Sequence, residues 1–145
     1  MKTVGMIAVA ARTPLWLAVL EADYIARLQG FRLHVRTVKP AMAAKEAAAI
    51  LACLPRRAAV ILLDAAGKRY DSESFARRLE SHWLTGAEPY FILGGASGPP
   101  PSLRQRADEM LSLSPLTFAH AVARLALVEQ LFRADCIMRG HPYPK

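Results

Sequence analysis

Ala58-Ala59-Val60-Ile61-Leu62-Leu63 is an apolar run of strand length in which no polar residue alternates with the apolar ones. A strand without alternation is buried on both faces, as in a parallel sheet that helices cover. Asp64 follows the run and is expected to end the strand. The stretch therefore predicts an α/β fold, with a mainly parallel sheet and helices on both faces.

Strand and helix patterns alternate on either side of this run. Apolar runs predict strands over 4–10 and 90–93, and residues 31–36 alternate apolar with basic side chains, as in a half-buried strand. Helices are predicted from Thr13-Pro14 to about Gln29, over 41–54, from Asp71 to Gly86, from Ser102 towards Met110, and over 119–138. The order of elements is that of one α/β domain.

Size and composition are consistent with one folded domain spanning residues 1–145, since 53% of the residues are hydrophobic. The formal net charge of +7 favours an anionic partner, either nucleic acid or an acidic membrane surface. Charge alone does not choose between these two. Because His120, Arg124 and Glu129 interrupt the most apolar helix, no membrane span is predicted.

The cysteines and the first residues bear on the compartment. Cys53 and Cys136 lie far apart within apolar helical stretches, which indicates buried free thiols and a reducing compartment. Residues 1–11 could pass for a short signal peptide, but one lysine and a barely adequate apolar run favour a first strand. A cytoplasmic location is therefore expected.

The glycine loop Gly94-Gly95 matches neither common phosphate-binding motif. The spacing to Gly98 is not G-x-G-x-x-G, and no P-loop lysine follows. Ser97 with Asp108 or Asp135 and His141 follows hydrolase order, but Pro99 replaces the second glycine of a nucleophile elbow, so a serine hydrolase stays a minor alternative. The four histidines lack metal-ligand spacing, and no metal site is predicted.

Three predicted loops converge where strands end. Leu63-Asp64, Gly94-Gly95 and the loop 113–117 would all lie at the carboxyl edge of the sheet, where open α/β sheets bind ligands. Glycine leaves the backbone accessible to a ligand. The convergence predicts a nucleotide-like cofactor beside an anionic partner.

The helix over 119–138 is apolar nearly all round, so one core-facing stripe does not account for it. We expect it to pack both on its own sheet and on a second copy of the chain, in a homodimer. Arg124 and Arg133 would border that seam and could hold phosphates, and His120 stands at the head of the helix.

At these residues the sequence resembles the knotted SPOUT methyltransferases, and within them the small enzymes that methylate N-3 of a pseudouridine in large-subunit ribosomal RNA. The resemblance covers nearly the whole chain and is loosest in the amino-terminal third. It is carried by these segments: 63–64, 67–68, 72–76, 91–96 with Gly98, 111–117 with His120 and Arg124, 129–134, and 141–143.

The resemblance implies a carboxyl-terminal trefoil knot, a homodimer, bound S-adenosylmethionine and no metal, with 23S ribosomal RNA, as naked RNA or in the 70S ribosome, as substrate. By position, the implied cofactor contacts are Leu63, Gly94, Gly95, Leu113, Ser114, Pro115, Leu116, Thr117 and Phe118. The implied RNA contacts are His120, Arg124 and Arg133, and the implied catalytic residues of the tail are His141, Tyr143 and Lys145.

The tail departs from the family pattern at one position. Pro144 stands where the family has histidine, which removes an imidazole that could relay a proton. His141 or Tyr143 would then handle the proton, with Lys145 stabilising negative charge on the base or a phosphate. The alternative is a catalytically weakened dimer of the same fold that binds RNA or ribosomes.

Overall fold

The computed structural model of the chain describes residues 1–95 and 98–143. Strands and helices alternate along these residues in the following order: β1 (Thr3–Val9), α1 (Leu15–Arg27), β2 (Arg32–Val38), α2 (Ala43–Ala52), β3 (Ala58–Arg69), α3 (Ser72–Leu84), β4 (Glu88–Leu93), α4 (Pro101–Arg106), β5 (Glu109–Ser112) and α5 (His120–Arg139).

The five strands form one sheet in the order β2-β1-β4-β3-β5, and every described strand pair is parallel. This confirms the α/β fold that the apolar run 58–63 predicts. Each face of the sheet carries its own apolar core, one that includes residues of α3 and α5 and one that includes residues of α2 and α4. Parallel strands are buried on both faces for this reason.

The third strand and the fourth helix differ from the prediction. Asp64 does not end β3, which continues to Arg69 and pairs with β5 again after an irregularity between Leu63 and Lys68. The helix predicted from Ser102 towards Met110 is shorter than expected, since α4 ends at Arg106, and it has no side-chain cap. Asp108 bonds instead to both the amide and the carbonyl of Val60 and so starts β5, a strand that the sequence analysis missed.

Helix α5 has more cover within its own chain than the sequence suggests. It packs against α1 and α3, and Leu127, Leu131 and Phe132 are buried there. The apolar surface left in water belongs mainly to α1, where Leu15 and Val19 are 78% and 59% exposed. Among the described residues, no helix is long and apolar enough to cross a membrane.

Candidate functional site

A cleft of about 910 Å³ lies at the carboxyl edge of the sheet, where strands β1 and β4 end and β3 reaches its irregularity after Leu63. Its walls come from these strand ends, from the segment after β2, and from the loop between β5 and α5. The residues that argue for a site are Arg12, Glu46, Leu63, Asp64, Gly94, Gly95, Leu113, Ser114, Leu116, Thr117, Phe118 and His120. A volume of this size suits a cofactor or a small molecule.

The two glycines after β4 keep the floor of the cleft open. A Cβ on Gly95 would stand 3.0 Å from Oε1 of Glu46, a tighter contact than most side chains make, so the Glu46 carboxylate would have to shift. A Cβ on Gly94 would meet nothing nearer than 3.9 Å. Gly95 is therefore needed for close approach to the α2 carboxylate, whereas Gly94 mainly leaves the strand end bare.

Two carboxylates border the cleft, and both are held by hydrogen bonds. Asp64 accepts from the amide of Ala66 at 2.9 Å and from Nη2 of Arg104 at 3.0 Å. The hydrogen bond from the Ala66 amide is the main cause that lowers the pKa of Asp64. Arg104 lowers this pKa further, whereas partial burial acts in the opposite direction. Glu46 accepts from the amide of Ala41 at 2.8 Å. The cleft therefore offers oriented acceptors beside main-chain groups.

The loop between β5 and α5 supplies the other wall. Oγ of Ser114 accepts from the amide of Leu116 at 3.0 Å, which folds the loop back towards the cleft. Nε2 of His120 is buried at the cleft wall and has no hydrogen-bond partner among the described residues. A buried polar atom without a partner is costly, so this nitrogen is a candidate contact for a bound polar ligand.

The cofactor residues predicted from the sequence lie together in this cleft. All of them line the cleft except Pro115, which belongs to the same loop. The sequence analysis missed Arg12 and Glu46, which follow β1 and β2. The rule that ligands bind beyond strand ends could have identified Arg12, three residues past β1, whereas Glu46 lies in the first turn of α2.

The structure places Arg124 in the protein interior and not on a surface that RNA reaches. Its side chain is 4% exposed and donates from Nε and Nη2 to the two carboxylate oxygens of Glu21, both at 2.7 Å. Thr13 Oγ1 lies 3.5 Å from its Nη1. Arg124 therefore joins α5 to α1 and is not a candidate for contact with an RNA phosphate.

The predicted catalytic tail lies against its own helices. The Tyr143 hydroxyl is 3.2 Å from that of Tyr24, and its ring meets Phe132 edge to face at 4.9 Å. Arg133 lies over the same ring at 4.6 Å and pairs with Glu129 at 2.8 Å. No described residue after α5 lines the cleft of its own protomer.

His141 is exposed, just past Gly140, which ends α5 at a φ of 67°. Lys145 and Pro144, like Ser97 of the hydrolase alternative, lie outside the described residues. Among the described residues no cluster of three or more His, Cys, Asp or Glu side chains is arranged to hold a metal ion.

Comparison with known proteins points to one family. A family model described as a predicted SPOUT methyltransferase matches residues 1–144. The chain is 40% identical over 140 residues to the ribosomal RNA large subunit methyltransferase H of Polynucleobacter asymbioticus, covering 95% of each chain. It is 38% identical to the protein of the same name from Thiobacillus denitrificans, covering 95% of this chain and 96% of that one.

A solved structure gives the same fold. The crystal structure of the SpoU methyltransferase AviRb from Streptomyces viridochromogenes, in complex with AdoMet, superposes with a TM-score of 0.50 at 13% identity. The match covers 97% of this chain and 60% of that one. At this identity the likeness concerns the fold.

Proposed function

The chain belongs to the SPOUT methyltransferase family, and from that premise we propose that it transfers the methyl group of S-adenosylmethionine to N-3 of a pseudouridine in large-subunit ribosomal RNA. The observation that carries the proposal is the cleft at the strand ends, bordered by Gly94-Gly95 and the loop 113–118. We also infer the family's trefoil knot at these loops and a cytoplasmic site of action.

The cofactor fits the residues present. When bound, S-adenosylmethionine supplies a methyl group already activated on a sulfonium. Gly95 admits the adenosyl group close to the backbone, and Leu116 and Phe118, which are exposed in the protomer, can cover its apolar parts. Glu46 and the unpartnered Nε2 of His120 are the polar groups that would orient its hydroxyls and charged end.

The chain's remaining task is to align the ring nitrogen with the methyl group, exclude water and accept the nitrogen's proton. We assign the proton to His141, which is exposed and reachable by substrate. Tyr143 is less suited, since burial, with the hydrogen bond to Tyr24 adding to it, raises the pKa of its hydroxyl. A phenol that stays protonated is a hydrogen-bond donor, so Tyr143 would orient the base.

The active unit in this proposal is a homodimer. None of the described tail residues, which end at Tyr143, lines the cleft of its own protomer, and we propose that His141, Tyr143 and Lys145 complete the cleft of a partner. The exposed apolar side chains of α1, Leu15, Trp16 and Val19, offer the surface for that partner. Arg133, partly exposed beside Tyr143, is the proposed contact for an RNA phosphate.

One sequence feature keeps a second function in view. With Pro144 in place of the family's histidine, the chain could bind RNA or ribosomes as a catalytically weakened dimer. One substitution, Pro144→His, distinguishes the two functions. Pro144→His should leave a competent enzyme's turnover within about twofold, whereas it should raise that of a weakened enzyme by about 100-fold, the usual contribution of a general base.

The test is transfer of a labelled methyl group from S-adenosylmethionine to 70S ribosomes that lack the modification. The proposal predicts incorporation into large-subunit RNA, and cofactor binding by calorimetry with one site per protomer. His141→Gln should lower turnover by about 100-fold with cofactor affinity retained. Cofactor binding without any methyl transfer would favour the weakened dimer, and no cofactor binding would refute both readings.

A further inference from the structure

One corner of the sheet is left open on the face that α2 and α4 cover elsewhere. Helix α2 connects β2 to β3 and ends at Ala52, close to the amino end of β3. The buried side chains on this face come from β1, β3 and β4, and from β2 only the partly buried Val38 joins them. The first part of the edge strand β2 is therefore in water on this face.

Basic side chains occupy that open part of β2. Arg32, His34 and Arg36 are exposed and alternate with Leu33 and Val35, which pack into the core of the other face. Residues two apart on a strand project from the same face, about 6.6 Å apart. The three side chains therefore form one row along the sheet.

An aromatic ring lies beside the row. Parallel register pairs His34 with Gly5 and Gly5 with Tyr90, so Tyr90 projects from the same face, one strand further in. A Cβ on Gly5 would collide with three atoms of the Tyr90 ring, which shows that the ring lies over β1 and not upright. Tyr90 is only half-buried. We call Arg32, His34, Arg36 and Tyr90 the sheet platform.

The charge of the platform is not neutralised within the described part of the chain. No ion pair or hydrogen bond to a carboxylate is found there for Arg32 or Arg36. The acidic side chain at this corner is Glu88, which is half-buried and accepts a hydrogen bond from Thr3 at 2.8 Å. Arg36 is close enough to oppose the rise that burial gives to the pKa of Tyr90. The platform therefore presents net positive charge beside a partly exposed aromatic ring.

We propose that the sheet platform binds single-stranded RNA, with Arg32 and Arg36 on phosphates and a base stacked on Tyr90 and His34. Aromatic side chains on an open sheet, flanked by cations, are the usual means by which proteins hold unpaired nucleotides. An acidic protein segment would use the charges but would gain nothing specific from the ring. The proposal rests on the proposed function for its substrate class and adds a second contact outside the methyl-transfer cleft.

The position of the platform connects it with the cleft. Beyond Arg36, β2 ends at Val38, the exposed Lys39 follows, and Pro40 and Ala41 line the cleft. Four residues of extended chain span about 13 Å, so a strand of two or three nucleotides could reach from Arg36 to the cleft mouth. The proposed dimer surface on α1 lies on the other face of the sheet, so a partner would not cover the platform.

The test uses the full chain and a fluorescent oligouridylate of ten nucleotides, with binding measured by anisotropy at several salt concentrations. The platform variant is Arg32→Gln with Arg36→Gln. The control is Arg69→Gln with Arg77→Gln, which removes the same charge from exposed positions on β3 and α3. All four side chains are exposed, and thermal melting checks that both variants fold.

The proposal predicts that the platform variant lowers the slope of log K against log salt by about 1.4, the value for two phosphates of a single strand, and that the control leaves the slope unchanged. An oligomer of the same length without bases should bind the native chain at least about fivefold more weakly, because stacking is lost. The proposal would be overturned if the platform and control variants had the same salt slope. It would also be overturned if the native chain bound the abasic oligomer as tightly as the oligouridylate. A polyglutamate that bound the platform as tightly as RNA does would overturn it as well.

The same samples separate this proposal from the proposed function. The platform variant should bind S-adenosylmethionine like the native chain, and it should raise the KM for ribosomes with kcat unchanged. If the native chain methylates nothing but the oligonucleotide results hold, the platform stands and the methyltransferase proposal fails. If methylation is robust and the oligonucleotide results fail, the platform alone is refuted.

Discussion

At the scale of single residues, Arg124 shows how burial changes the role of a charged side chain. A sequence motif places this arginine on the last helix, where an exposed cation could meet RNA. The structure instead buries it in a two-pronged pair with Glu21 of α1. Sequence spacing within α5 carries no information on Glu21, which lies 103 positions away. This contact was therefore beyond sequence reasoning.

Removing one partner of that pair should be costly. Glu21→Gln leaves the Arg124 charge buried and should lower the free energy of unfolding by about 3 kcal/mol in urea denaturation. Glu21→Leu combined with Arg124→Met should recover most of that loss, since an apolar pair of similar volume avoids the buried charge. If Glu21→Gln were as stable as the native chain, the pair would have no structural role.

Gly95 is the residue at which the cleft geometry is most directly testable. Gly95→Ala puts a methyl group 3.0 Å from Glu46 and should weaken S-adenosylmethionine binding about tenfold in calorimetry, a loss of about 1.4 kcal/mol. Ala48→Ser, at an exposed position of α2 outside the cleft, is the control and should bind the cofactor like the native chain. Equal cofactor affinity of the Gly95 variant and the native chain would remove Glu46 and Gly95 from the site.

At the scale of elements, the strands and most helices are predictable, whereas β5 and the extension of β3 are not. Apolar runs and alternation are local patterns, and they identify β1 to β4. Strand β5 depends on partners far away in sequence, since Asp108 bonds to Val60, and its four residues carry no periodicity of their own. The helix predicted from Ser102 towards Met110 therefore stops at Arg106, because pairing with β3 makes residues 109–112 a strand.

Gly67 tests that pairing. Its Cβ would stand 2.7 Å from the carbonyl carbon of Met110 and 2.8 Å from the amide of Leu111, both backbone atoms of β5. Gly67→Ala should therefore destabilise the fold by about 2 kcal/mol in thermal or urea unfolding. Ala66→Ser, an exposed neighbour, should change stability by less than about 0.5 kcal/mol. An unchanged Gly67→Ala protein would mean that β3 and β5 are not so close.

Glu109 at the start of β5 joins that strand to α3 and sets an acid limit on stability. It accepts from Arg78 at 2.9 Å and from Tyr70, and His82 lies 3.8 Å away. Burial opposes its ionisation, but these hydrogen bonds prevail and lower the pKa of Glu109 from 4.5 to about 2. A carboxyl group with a lowered pKa stabilises the fold above pH 4.5, and that contribution is lost as pH falls towards 2.

Glu109→Gln should therefore be less stable than the native chain at pH 7 by about 2 kcal/mol, and the difference should shrink as pH falls from 4.5 to 2. Urea denaturation across this range measures it. Glu73→Gln, on an exposed carboxylate, should show little difference at any pH. If the difference in unfolding free energy between the native and Glu109→Gln proteins stayed constant from pH 4.5 to pH 2, the lowered pKa of Glu109 would be contradicted.

At the scale of the whole molecule, the apolar face of α1 is the surface that a monomer does not explain. Val19→Glu should disrupt the proposed dimer and give the mass of one chain in light scattering, since it buries a charge at the seam. Ala48→Glu, at an exposed position of α2, should leave the dimer intact. Monomeric native protein would refute the proposed dimer, and a dimer unaffected by Val19→Glu would place its seam on another surface.

The location of the site could be predicted from the sequence, but a contribution to it from a second protomer could not. Strand ends, glycines and the 113–118 loop converge because parallel strands bring their carboxyl ends to one edge, which is a property of the fold class. The resemblance also implies a catalytic tail after α5, and the structure holds Tyr143 of that tail against Tyr24 of α1 in the same protomer. Whether it serves a second protomer depends on an assembly that no local pattern encodes.

The most direct test of the account is base-level mapping of the methyl group that the chain adds to 70S ribosomes lacking it, by mass spectrometry of large-subunit RNA fragments. The account predicts one new methyl group, on N-3 of a pseudouridine, absent when S-adenosylmethionine is omitted. A methyl group on a ribose, on another base or on ribosomal protein, or none at all, would contradict it.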